Sequence, residues 1–120
     1  MTRGAHMKIK HKIWLEIDGK AVWGSGRQEL LRAIDEYGSL YEAAKKLNMS
    51  YRAAWGRLKN SEKRLGLKLV KSEGTAGMRL TEEARAFLTK FDYLEDKTDN
   101  LIKNISNELS FPLKKSDNLS

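Results

Sequence analysis

The spacing of apolar positions changes repeatedly along the chain, and each change marks an element. Across residues 8–24 apolar and polar side chains alternate, with Ile13, Leu15 and Ile17 on one side of an extended chain and Lys12, Trp14 and Glu16 on the other. Asp18-Gly19 separates this run from Lys20, Ala21, Val22 and Trp23. An Asp-Gly pair between two β-prone runs is the strongest short-range hairpin signal, because both central residues of the favoured turn need positive φ. An N-terminal β-hairpin is therefore predicted. A lone two-stranded ribbon is marginal in water, so this one has to pack on helices or on a partner chain. Core packing is the expectation for both Trp14 and Trp23.

Beyond a loop at residues 24–26 the period becomes helical. Leu30, Leu31, Ala33, Ile34 and Tyr37 mark an amphipathic helix that stops at Gly38. Ser39 and Glu42 have capping-box spacing, and Leu40, Ala43, Ala44 and Leu47 continue at helical period. Asn48 and Met49 break the pattern, Ser50 caps a new start, and Ala54, Leu58 and Leu65 carry the stripe to Gly66. Leu67, Leu69 and Val70 then predict a short strand, residues 72–78 a loop, and Arg79-Leu80 a return strand. Two helices joined by a tight turn and followed by a two-stranded loop describe a winged helix-turn-helix, whose second helix enters the DNA major groove.

Thr81 is an N-cap candidate, with Glu82 and Glu83 in the first helical turn. Ala84, Phe87, Phe91, Leu94, Thr98, Leu101 and Ile105 then alternate spacings of three and four, a seam about three heptads long. A helix over 82–107 is roughly 37 Å long at about 1.5 Å per residue, more than one small domain covers. The front of the seam is expected to fold back onto its own domain and the distal half to need a partner. Dimerisation is thus assigned to Phe87, Phe91, Leu94, Leu101 and Ile105. The fold class expected is mainly α with small β elements. It comprises a winged helix-turn-helix with an N-terminal β-hairpin and a long C-terminal dimerisation helix. The divisions are an expression leader at 1–7, a DNA-binding domain at 8–80, the long helix at 81–109 and a flexible tail at 110–120.

Composition narrows the function. One hundred and twenty residues make a single domain's length, with 40% apolar and 32% charged residues, one proline and no cysteine. No apolar run approaches the roughly 18 residues of a membrane span, and no secretory signal precedes the chain. A cytoplasmic location is the default, and disulfides and thiolate metal sites are excluded. The net charge is +7, unevenly spread: residues 1–80 hold 17 Lys or Arg against 8 Asp or Glu, whereas 81–120 hold 6 against 8. Within 43–71 nine basic residues face one acid, Glu62. Such a stripe is the footprint of a phosphate-binding surface, although a solvated face alone would give the same run.

No nucleophile, base and orienting group come together, and neither His6 nor His11 has a partner at ligand spacing. No catalysis, cofactor or metal is expected. In the basic helix, Ala54, Leu58, Ser61 and Leu65 face inward with Trp55 at the margin. Arg52, Gly56, Lys59 and Lys63 then share the outward stripe, with Ala53, Arg57, Asn60 and Arg64 beside it. Residues near the start of such a helix read base edges while later cations hold phosphates. Lys71 and Arg79 place charge on the wing.

The run GSLYEAAKKLNMSYRAAWGRLK, residues 38–59, resembles the N-terminal DNA-binding segment of molybdate-responsive ModE-type regulators. Glu62, Leu65-Gly66, Leu69-Val70-x-Lys and Leu80-Thr81 are similar to the wider LysR-type winged-helix pattern. The resemblance implies a homodimer joined through the long helix, with Ser50, Tyr51, Arg52, Ala53 and Arg57 at double-stranded DNA. Full-length ModE-type members carry C-terminal oxyanion-binding domains, which begin about where this chain stops. The expectation is a transcriptional regulator without its own oxyanion-sensing domain, standing alone or served by a separate sensor protein. The alternative is a dimeric protein- or RNA-interaction module using the basic helical face.

Overall fold

The computed structural model describes residues 7–112. The expected leader, apart from Met7, and residues 113–120 of the expected tail lie outside the described residues. Two units are distinguished: Ile13–Tyr93, and a second made by residues 7–12 with the chain from Leu94 onward.

The first unit begins with β1 (Leu15–Ile17) and β2 (Lys20–Trp23), an antiparallel pair. Asp18 and Gly19 turn at φ of 51° and 78°, the doubly left-handed conformation that an Asp-Gly hairpin requires. Leu15 opposes Trp23 and Ile17 opposes Lys20, with a slip between Leu15 and Glu16. Trp23 is fully buried, stacked on Phe87 at 4.7 Å between ring centroids. Trp14, expected in the core, is instead 49% exposed, its Nε1 donating to Glu16 Oε2 at 2.7 Å. The cause is strand alternation: Ile13 and Leu15 pack on the core, so Trp14 between them faces away.

Helix α1 (Ser25–Tyr37) starts directly after Gly24, so the loop expected at 24–26 is shorter than the sequence suggested. It ends at Gly38 in the left-handed region, φ 72°. Helix α2 (Leu40–Lys46) is capped by Ser39 Oγ, which accepts from the Glu42 amide at 3.0 Å. Asn48, at φ 56°, reverses the chain, and Ser50 Oγ accepts from the Ala53 amide to start α3 (Tyr51–Leu65). Strands β3 (Val70–Ser72) and β4 (Met78–Leu80) form a second antiparallel pair, and α4 (Glu82–Glu108) follows. Thr81 caps α4 through the Ala84 amide, and its hydroxyl donates to the Lys68 carbonyl at 2.8 Å.

The core joins Leu30, Leu31 and Ile34 of α1, Ala54 and Leu58 of α3, and Leu88 and Phe91 of α4. The Gln28 amide is buried beside them by full pairing. Gln28 Oε1 accepts from Trp23 Nε1 at 2.7 Å, and its Nε2 donates to the Leu88 carbonyl and to Asp92 Oδ1, both at 2.9 Å. Arg32 pairs with the two oxygens of Asp92 at 2.8 and 2.6 Å, and Arg85 with those of Asp35 at 3.2 and 2.9 Å. In the second unit His11 Nε2 lies 3.2 Å from Asp99 Oδ1, and Met7 and Ile9 line a shallow pocket of about 220 Å³ with Leu109 and Phe111.

Candidate nucleic-acid interface

Helix α3 buries Ala54, Leu58, Ser61 and Glu62. At about 100° per residue the opposite side carries Arg52, Gly56, Asn60 and Lys63. Ser50, Tyr51, Arg52 and Ala53 are all exposed at the start of the helix. The side chains of Arg52, Arg57 and Lys63 are exposed and make no hydrogen bond or ion pair among the described residues. Their charges are available to an external anion.

Glu62 was not anticipated as a buried residue, since an acid within a basic run reads as a surface charge. It is 7% exposed; its Oε2 accepts from the Leu69 amide at 2.8 Å and its Oε1 from Lys59 Nζ at 3.2 Å. The carboxylate thereby ties the end of α3 to the chain entering β3. Lys59 Nζ also sits 4.6 Å from the centre of the Trp55 ring. Lys59, expected at a phosphate, is thus held by Glu62 and Trp55, while Trp55 itself is marginal as expected, at 44% exposure.

On the opposite flank of α3, Arg27 Nε donates to Ser61 Oγ at 2.6 Å, and Ser61 Oγ donates to the Arg57 carbonyl at 2.9 Å. Arg64 Nη1 donates to the Ala21 carbonyl of β2 at 2.8 Å. Burial, and then the charges of Arg64 and Arg57, hold the Arg27 guanidinium below the ordinary arginine range. In the sequence Arg27 belongs only to a small loop at 24–27, a weak anion-site signal for which a simple turn is the stronger reading; folding is what brings it to α3.

Lys71 stands directly across the wing from Arg79. Arg79 Nη1 is 3.4 Å from Glu73 Oε2, so its charge is partly answered within the wing, whereas Lys71 is exposed. The base of the wing is anchored: the Met78 amide donates to the Gly38 carbonyl at 2.8 Å and the Thr81 amide to the Leu69 carbonyl at 3.0 Å. Gly77 sits at φ 96° with the Gly38 carbonyl oxygen 2.6 Å from where a Cβ would be, so no larger residue fits.

The expected dimerisation residues divide. Phe91 is buried in the domain's own core and Phe87 stacks on Trp23, as the front of a seam folding back would do. Leu94 and Leu101 are exposed and Ile105 half-buried. Among the described residues no three His, Asp or Glu side chains gather as a metal site, and no helix is long and apolar enough to cross a membrane.

Residues 27–85, from α1 through the wing into α4, match the family described as bacterial regulatory helix-turn-helix protein, lysR family. The DNA-binding domain of CbnR, solved in complex with DNA, is 26% identical, with a TM-score of 0.54 over 69% of this chain and 97% of that one. CbnR itself, a LysR family transcriptional regulator, is 25% identical with a TM-score of 0.53; the match covers 67% of this chain and 28% of CbnR. Vibrio fischeri DarR in complex with DNA, at 21% identity and a TM-score of 0.53, shares the fold over 67% of this chain and 27% of its own. The chain therefore spans little more than a quarter of these longer regulators. No curated protein sequence matches it. The helix pair, the anchored wing and the helix that follows are similar in sequence and fold to a LysR-type winged helix-turn-helix DNA-binding domain.

Proposed function

We propose that this chain is a sequence-specific, double-stranded DNA-binding transcriptional regulator that works as a homodimer through the distal part of α4. The observation that carries the proposal is the outward side of α3. There Arg52 and Lys63, with Arg57 on the adjoining flank, stand exposed and without a partner among the described residues, while the acid of the same helix, Glu62, is buried and already engaged. Ser50, Tyr51, Arg52 and Ala53 reach base edges at the start of α3, and Arg57, Lys63, Lys71 and Arg79 hold backbone phosphates. Lys59 acts chiefly by orienting Trp55. Two copies of α3 about 34 Å apart, or a multiple of that, read successive major grooves of a two-fold symmetric operator.

Within the LysR type we assign the domain to the ModE kind, on the run Ser50-Tyr51-Arg52-Ala53-Ala54-Trp55, whose Tyr51 and Trp55 are both exposed one turn apart. Selection of duplexes from a random pool, followed by fluorescence anisotropy on the enriched site, tests the function. Arg52→Ala is expected to cost about 1–3 kcal/mol on the selected site and to relax sequence preference. Lys63→Ala is expected to weaken selected and scrambled duplexes equally and to flatten the salt dependence by about one unit of slope. Absence of any duplex binding at low salt ends the proposal.

A further inference from the structure

The arginines on the hairpin side of α3 form a patch beside its outward face and away from the wing. Arg57 and Arg64 lie two turns apart on one flank of α3, turned away from Lys59 and Glu62, and Arg27 reaches the same flank from α1. An atom built as Cβ on Gly26 would stand 3.3 Å from Arg57 Nη1, which puts that guanidinium against the start of α1. Arg27 spends its Nε on Ser61 and Arg64 one Nη1 on Ala21, which leaves the remaining guanidinium donors of both without acceptors among the described residues. The four acids that form ion pairs in this unit, Asp35, Glu62, Glu73 and Asp92, are engaged by Arg85, Lys59, Arg79 and Arg32. The first turn of α1 carries no acid either.

Three like charges gathered without a counter-charge repel one another, and the lowered Arg27 proton affinity records that repulsion from Arg64 and Arg57 alongside burial. A protein retains such a cluster at least cost when an external anion completes it. The planar guanidinium fork matches phosphate oxygens, and the flank beside a recognition helix is where the sugar-phosphate strand bordering the major groove runs.

We propose that Arg27, Arg57 and Arg64 together cradle a single DNA backbone phosphate on the hairpin side of α3, across the recognition helix from the segment that Glu62 ties to the wing. This rests on the DNA-binding reading above and extends it. The hairpin becomes part of the interface, because β2 fixes Arg64 through the Ala21 carbonyl, and the domain grips both strands bordering the groove.

The test replaces backbone phosphates of the selected duplex one at a time by uncharged methylphosphonate and titrates each duplex with wild type, Arg57→Gln and Arg64→Gln. In wild type, one flanking position per half-site should weaken binding severalfold. Both variants should lose sensitivity to that same position, and each should lower the salt slope by about one unit. Arg57 has no side-chain hydrogen bond or ion pair among the described residues, so its variant stays informative even if Arg64→Gln, which loses its bond to β2, proves poorly folded by circular dichroism. Two outcomes remove the cradle while leaving DNA binding intact. In one, both variants bind with wild-type affinity and slope while Lys63→Ala lowers the slope; in the other, each arginine answers to a different phosphate. Failure of wild type to bind any duplex removes both proposals.

Discussion

Glycine at position 77 does work that no sequence rule assigned to it. Its φ of 96° lies outside what side chains favour, and the Gly38 carbonyl occupies the space a Cβ would need. Gly77→Ala therefore combines backbone strain of about 1–3 kcal/mol with a backbone clash. The expected result is a urea midpoint lowered by at least that equivalent and a loss of the Met78–Gly38 hydrogen bond, visible as faster exchange of the Met78 amide. Glu62 teaches a related lesson. Its neighbours in sequence are basic, which argues for an exposed i,i+3 pair with Lys59. The buried acceptor role toward Leu69 becomes visible only once the chain after Gly66 turns back along α3. By contrast Ser39, Ser50 and the two glycines after α1 and α3 were legible, because capping depends on residues one turn away and little else.

At the scale of elements, periodicity located the four α-helices but not the short 3-10 turn at Gly74–Ala76, and the Asp18-Gly19 pair marked the hairpin turn. It could not say how much of α4 belongs to the core, since a heptad seam and a core-facing stripe have the same spacing over two turns. The partition is set by α1: Gln28 and Arg32 reach Asp92 on α4, and Trp23 reaches Phe87. Hydrogen bonding from Arg32 first, opposed by some burial and assisted by Gln28, holds the Asp92 carboxyl below the ordinary aspartate range. A carboxyl with a lowered folded pKa adds stability above its unfolded value of about 3.9, and that contribution disappears as pH falls through the lowered value. Asp92→Asn should accordingly lower the urea midpoint at pH 6, by a modest amount because Asp92 is half exposed, and the difference from wild type should shrink progressively as pH falls below about 3.9. An undiminished gap at pH 3 would show that the α1–α4 contact does not depend on this charge.

For the molecule as a whole, the fold class was readable because each level agreed: caps, stripes, turn residues and the excess of positive charge before residue 81 pointed one way. Trp14 ran against that agreement, since an aromatic on the polar side of an alternating strand was assigned by its size rather than by its parity. Dimerisation belongs to this scale, and the proposal rests it on the exposed Leu94 and Leu101. Leu101→Glu should turn a dimer into a monomer in sedimentation velocity at micromolar concentration. It should also weaken binding to a two-half-site operator on the order of a hundredfold, with binding to one half-site unchanged. A variant that sediments as a dimer would move the contact elsewhere. The anchoring of β4 on the Gly38 carbonyl has one more consequence, for how such a domain diversifies. The foot of the wing is registered to the turn between α1 and α2 through the Gly38 carbonyl, whereas residues 73–75 at its tip are exposed. Length and charge at the tip can therefore change, by drift or by design, without re-aiming the residues at the start of α3 that the proposal sets at base edges. Grafting a longer basic tip onto this foot is a route to broader groove coverage at constant specificity.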